Sequence, residues 1–191
     1  MQERYRMKIR TFTLLLLVFG IIANCSFSFK PKDNIRWTSD DTDKRIVSVI
    51  GKTKISLYSS VLKGDFVDIE PPLRLITTVI KTATTESGYT YRLLKTKLAG
   101  ENDIPIKATI LAISKGNKIL DAVILSLDFT FETEHFAHFV VTTDSIHIHR
   151  YEVEHLEYDK ETGEIIGNRN TPDTTIYSSL YLIRDGHIIK Q

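Results

Sequence analysis

Ile104-Pro105-Ile106-Lys107-Ala108-Thr109-Ile110-Leu111-Ala112-Ile113-Ser114-Lys115-Gly116-Asn117-Lys118-Ile119-Leu120-Asp121-Ala122-Val123-Ile124-Leu125-Ser126-Leu127-Asp128-Phe129 decides the fold. Two runs rich in Ile, Leu, Val and Ala flank Gly-Asn, a pair suited to the positive φ angles of two-residue hairpin turns. Residues opposite each other in an antiparallel pair share a face, so the turn fixes a register that can be tested. With Gly116-Asn117 at the turn, Ile110 faces Val123, Ala108 faces Leu125, Ile106 faces Leu127 and Ile104 faces Phe129. The stripe is apolar but for Asp121, opposite Ala112 near the turn.

The same pattern extends in both directions. From Arg45 onward, short runs of Val, Ile, Thr, Tyr and Phe are separated by Gly, Asn and Asp, and no long helical periodicity interrupts them. Strands are expected at about 45–50, 54–60, 73–84, 89–98, 104–114, 118–130, 135–142, 145–157, 164–168, 174–183 and 187–190. Asp185-Gly186 forms a second turn that sets Ile183 against Ile188 and Leu182 against Ile189. Both faces of that pair are apolar, the mark of a central or sandwiched position. In Asp159-Lys160-Glu161-Thr162-Gly163 the glycine comes late, as bulged hairpin loops prefer. Pro71-Pro72 reads as a break between hairpins, because proline cannot sit in a central strand. Successive hairpins without helical crossovers predict one all-β domain, a single antiparallel meander forming a barrel or a sandwich.

The N-terminus follows a different rule. Arg4, Arg6, Lys8 and Arg10 precede 19 uncharged residues, Thr11 to Phe29, with Leu14 to Ala23 the most apolar part. A basic start followed by an apolar run is the pattern of a secretory signal peptide, and Met7 offers a second start to it. The run is apolar all round, unlike the one-sided helix of a cytosolic core. Ile22-Ala23-Asn24-Cys25 resembles the lipobox of bacterial lipoproteins, with Asn24 where that pattern carries Gly, Ala or Ser. The resemblance covers four residues and implies that Cys25, the single cysteine, is acylated and becomes the mature N-terminus. It also implies an anchor in the cell envelope, and the Ser26 that follows, in place of Asp, points to the outer membrane. Two other fates stay open on the residues alone. One is cleavage to a soluble secreted or periplasmic protein; the other is a retained span, since Thr11 to Phe29 approaches the roughly 20 residues a bilayer requires.

These boundaries divide the chain into a signal peptide at 1–24, a lipid attachment and polar tether at 25–43, and a β domain at 44–191. The tether reading rests on Lys30-Pro31-Lys32-Asp33-Asn34 and on Asp40, Asp41 and Asp43, which lack the EF-hand spacing of a calcium loop. Trp37 can dock on the domain or remain half-exposed. Without residues 1–24 the chain has 21 Lys plus Arg against 23 Asp plus Glu, which speaks against a nucleic-acid partner. With Cys25 removed or lipidated no disulfide can form, and stability has to come from a core.

Five of the six histidines lie between His135 and His155. With Thr143-Asp144 as a turn, Phe139 faces Ile148 and Val141 faces Ile146, and the opposite face pairs His138 with His149, with His147 next along the strand. Three imidazoles on one face form a candidate zinc set, His138, His147 and His149, because catalytic zinc sites use three protein ligands. A solvated face or a pH-responsive surface fits the same pattern. No acidic residue near the trio is seen to orient an imidazole, and a change of apolar phase after Arg150 suggests a bulge near His149. Glu152, Glu154 and Glu157 decorate one strand, and Tyr89, Tyr91, Tyr177 and Tyr181 are expected to support the sheet, the alternatives being to stack on a carbohydrate or to line a barrel mouth. His-Glu-x-x-His, Gly-x-Ser-x-Gly and phosphate-binding glycine loops are missing from the sequence.

The expected function is therefore a non-enzymatic envelope lipoprotein without a cofactor, held to the membrane by its lipid and binding a small apolar ligand or an envelope protein. If closed, a meander of this size resembles lipocalin-like barrels, which hold one apolar ligand inside. The alternatives are an accessory or structural subunit of an outer-membrane complex and a zinc enzyme using the histidine cluster.

Overall fold

The computed structural model describes residues 34–42, 53–64, 73–100 and 103–191. Cys25, Pro71-Pro72 and the strand expected at 45–50 lie outside them. The described elements are β1 (Arg36–Thr38), β2 (Lys54–Tyr58), β3 (Leu62–Lys63), β4 (Arg74–Thr84), β5 (Tyr89–Ala99), β6 (Pro105–Lys115), β7 (Lys118–Thr130), β8 (Thr133–Thr142), β9 (Ser145–Tyr158), β10 (Ile165–Arg184) and β11 (His187–Lys190), with single 3-10 turns at Ser39–Thr42 and Ser59–Val61. The all-β meander expected from the sequence is what forms.

Nine strands follow one hydrogen-bonded path, β11-β10-β9-β8-β7-β6-β5-β4-β2, and the sheet is not closed. Its shape is set where β7 meets β8. These strands pair only at Phe129 with His135 and Thr130 with Glu134, beside their connecting turn. Higher up, β7 gives its edge to β3, which runs parallel with Leu62 opposite Ala122, while β8 gives its edge to β1, with Trp37 opposite Val141. The sheet thus folds at the β7–β8 corner into two leaves, a sandwich built from one continuous meander.

Side chains from both leaves meet between them. Ile80, Leu93, Leu111, Ile113, Val123 and Leu125 from β4–β7 meet Phe139, Val141, Ile146, Ile148, Tyr181 and Ile188 from β8–β11 in one buried cluster. Leu94, Ala108, Ile110, Ala112, Ala122 and Ile124 form a second cluster on the other face of β5–β7, with Leu57 and Leu75. Residues 108 to 114 of β6 are consequently buried without interruption, on both faces.

That double burial explains a difference from the expected register. The Gly116-Asn117 turn forms, with Lys115 opposite Lys118 and Ser114 opposite Ile119. A shift between Ile113 and Ser114 then brings Ile113 opposite Asp121 and Ile110 opposite Ile124, and a second shift between Thr109 and Ile110 brings Ala108 opposite Leu127. A one-residue slip normally turns an apolar face to water. Here both faces are apolar and buried, so the hydrophobic pattern does not oppose the slips.

Three further expectations change. The stretch expected to be a polar tether enters the sheet: Ile35 and Trp37 are 8% and 7% exposed in the main core, and Asp41 accepts from the Thr38 amide at 2.9 Å and pairs with Lys81. The β fold therefore begins before Lys44. The strands expected at 164–168 and 174–183 are one element, β10, with a register irregularity between Asn168 and Asp173 around Pro172. Third, the β10–β11 hairpin has the expected register, Ile183 with Ile188 and Leu182 with Ile189, but it ends the path instead of lying centrally.

Asp121 joins that end to the first leaf. Its carboxylate, 4% exposed, pairs with Lys63 of β3, accepts from the Ile188 amide of β11 at 3.0 Å and lies 3.8 Å from His187 Nδ1. Lys63 also donates to the Ile188 carbonyl at 2.7 Å. The one polar position on the sequence stripe thus supplies a buried strut with its hydrogen bonds met. Beside it the hairpin turn comes close to β7: at Gly186, with φ +78°, a Cβ would stand 2.8 Å from Leu120 and Tyr89 side-chain carbons. Only glycine fits both the angle and the space.

Candidate functional site

Alternation places even-numbered residues of β8 and β10 and odd-numbered residues of β9 on one outer face, away from the core residues Phe139, Ile146 and Ile148. The registers β8–β9 and β9–β10 align them in rows: Phe136, Tyr151 and Ile176; His138, His149 and Ser178; Val140, His147 and Leu180. Both registers are unbroken through these rows, so the bulge expected near His149 is not formed there. The shifts lie on β10 instead, one opposite Tyr158 and Glu157 and one opposite Leu156 and Glu154.

The expected opposition of His138 and His149 is present, with His147 next along β9. Their rings have different hydrogen-bond partners. His138 Nδ1 and Ser39 Oγ share a hydrogen bond at 3.2 Å, whereas His149 Nδ1 and Ser178 Oγ share one at 2.9 Å. One ring is drawn toward the β1 side and the other toward β10. Among the described residues no group of three His, Cys, Asp or Glu side chains can hold a metal ion. His138 also stands edge-on to Phe136 and Tyr151, with centroids 5.7 and 5.3 Å away, while those two rings stack at 4.9 Å and 5°. His138 is thereby part of an aromatic group, a packing role with modest energy per contact.

The remaining histidines have acidic partners. His155 Nε2 lies 3.1 Å from Glu134 on the same outer face, and His135 lies 3.8 Å from Glu152 while stacking on Phe129 at 4.4 Å. Glu134 is the face's acidic residue that sequence reading did not connect to an imidazole. Glu152 is so engaged, and Glu154 and Glu132 flank the Tyr158 hydroxyl, whose pKa is raised by desolvation first and then by these carboxylates. The tyrosines do not converge: Tyr91 and Tyr181 are buried, Tyr89 lies beneath Lys115 at 4.7 Å, and Tyr177 is exposed.

The feature that sequence reading missed is the free side of β10. Its pairing with β11 covers only Tyr181 to Arg184, so among the described residues the edge from Ile165 to Ser179 has no strand beside it. Ile165, Ile166, Ile176 and Tyr177 are 53%, 62%, 55% and 50% exposed. Apolar side chains and unpaired main-chain groups on one long edge are what soluble β proteins usually avoid. The Thr143-Asp144 turn already implied that Phe136 faces Tyr151; nothing local implied that β10 would run from Ile165 as one strand past the residues that β11 pairs.

Comparison with protein-family models, curated proteins and solved structures finds no match to this chain. No helix of the described residues is long and apolar enough to cross a membrane.

Proposed function

We propose that this chain is a non-enzymatic, exported protein of the cell envelope, anchored by lipid on Cys25, that serves as an accessory subunit docking a protein on the outer face and free edge of β10. The observation that carries the reading is the exposure of β10: apolar Ile176 and Tyr177 stand in water beside main-chain groups that no described strand satisfies. Such an edge accepts an added strand, with main-chain hydrogen bonds for affinity and side-chain rows for register. A small-ligand role draws less support, because the sheet is open and the space between its leaves holds the side chains of the main core. A zinc-enzyme role draws less still, since Ser39 and Ser178 engage His138 and His149 of the trio, and among the described residues no three His, Cys, Asp or Glu side chains are grouped to hold a metal.

Both halves of the proposal can be tested in cells. Metabolic labelling with a fatty acid should mark the wild type and not Cys25→Ser; an unlabelled wild type refutes the anchor. A photo-crosslinking residue at position 176 should give a discrete protein adduct, and one at exposed Lys118 should not. Equal or absent adducts at the two positions refute the docking edge.

A further inference from the structure

We infer that the partner of the β10 edge is a second copy of the same strand, paired antiparallel about a two-fold axis at Ile176. The inference rests on the docking-edge reading and is independent of the lipid anchor. The phase of the edge is fixed by one bond: the Gln191 amide donates to the Leu180 carbonyl at 2.9 Å, on the β11 side. Alternation along the unbroken register from Thr174 to Leu182 then turns the main-chain N–H and C=O of Thr174, Ile176 and Ser178 to the same open side.

Two boundaries frame this segment. At Leu180 the β11 end begins to occupy the edge, and before Asp173 the strand departs from regular pairing around Pro172. The regular open stretch is Asp173-Thr174-Thr175-Ile176-Tyr177-Ser178-Ser179, and Ile176 is its middle residue. A two-fold axis there pairs Ile176 with its own copy, Thr174 with Ser178 and Asp173 with Ser179, and stops before either copy reaches the other's β11. No like charges meet, because Asp173 is the stretch's one charged residue and faces a serine. Like charges directly opposite would oppose pairing.

The outer face supports the same register. The row Phe136, Tyr151, Ile176 runs across three strands and ends at the open edge. Pairing about Ile176 continues it into the same row of the second copy, so two exposed isoleucines become neighbours in one apolar band. A heterologous contact would extend without closing, whereas this isologous one closes at two copies.

The test uses the full chain with Cys25→Ser, so that an introduced cysteine is the sole thiol. Directly opposed hydrogen-bonded residues stand about 5.5 Å apart at Cα, within disulfide reach. Ile176→Cys should therefore give a covalent dimer under mild oxidation. Thr174→Cys or Ser178→Cys alone should not, because each lies four residues, about 13 Å, from its own copy at ~3.3 Å per residue. An equal mixture of those two should cross-link to a heterodimer. If Ile176→Cys dimerises no more than Lys118→Cys, self-pairing is overturned. Adducts at position 176 in cells without that dimer would leave the docking edge standing with another chain as its occupant.

Discussion

β6 and β10 are both long strands that carry several isoleucines, and they live in opposite surroundings. β6 is paired along its length by β5 and β7 and is buried from Ala108 to Ser114. Among the described residues β10 has β9 on one side and only four residues of β11 on the other, and it is largely exposed from Ile165 to Ser178. Strand propensity made both; neighbours decided which became core. The same chemistry thus serves stability in one strand and availability in the other.

The sharpest way to break this contrast is to shorten one side chain in each leaf. Leu111→Ala removes a fully buried side chain of the main core and should cost about 2–5 kcal/mol. Urea denaturation would measure it, and a loss no larger than that of Ile176→Ala would sink the comparison.

Next in size is the strut that ties β11 to the first leaf. Asp121→Ala strips Lys63 and the Ile188 amide of their acceptor, and should cost about 1–3 kcal/mol. Hydrogen exchange at the Ile188 amide should quicken in the variant while that of Leu111 changes only with global stability. Removing a hydroxyl asks less: Tyr91→Phe deletes the bond to the Thr143 carbonyl at 2.9 Å and should cost about 1 kcal/mol.

Two carboxylates make a finer contrast through pH. Burial raises the Asp128 carboxyl on β7, and the Ser126 hydroxyl, Lys95 and Lys107 only partly offset it. A folded-state pKa above the unfolded one gives stability that is full at low pH and lost as pH rises through the raised value. Asp128→Asn escapes that loss, so its stability relative to wild type should improve as pH climbs above the ordinary carboxylate range. At Asp41, partial burial pushes upward, but Lys81 and the Thr38 amide outweigh it and the carboxyl ends below its usual value. The sign reverses: the wild type's advantage over Asp41→Asn should hold above the ordinary range and fade as pH falls through the depressed value. Denaturation midpoints across pH would separate the two trends, and parallel trends would refute them.

The smallest expected effect completes the contrast. Ile176→Thr, at an exposed position without a core contact, should change stability by less than about 0.5 kcal/mol. A larger loss would mean that β10 is supported by more than its neighbour β9.

What was legible in the sequence follows from how each constraint is written. Turns announce themselves, so the hairpins at Gly116-Asn117, Thr143-Asp144 and Asp185-Gly186 formed as expected, and in the latter two the register did too. The β6–β7 register was not legible beyond its turn, because a pattern apolar on both faces carries no penalty for a slip. Trp37 was ambiguous because its strand is three residues long and lies among polar neighbours; it is buried by β8, far along the chain. For the histidines, alternation placed His138 against His149, but their ring directions depend on Ser39 and Ser178, supplied by two different elements. Sequence order names the residues on a face and leaves their partners across strands unspoken.

The early strand β1 also sets a distance. Ile35 is packed in the core, ten positions after Cys25. Even fully extended, such a segment reaches no more than about 36 Å. If Cys25 carries the proposed lipid, that reach is a short leash, and the proposed edge-to-edge contact would form among copies confined to two dimensions, where a weak affinity suffices.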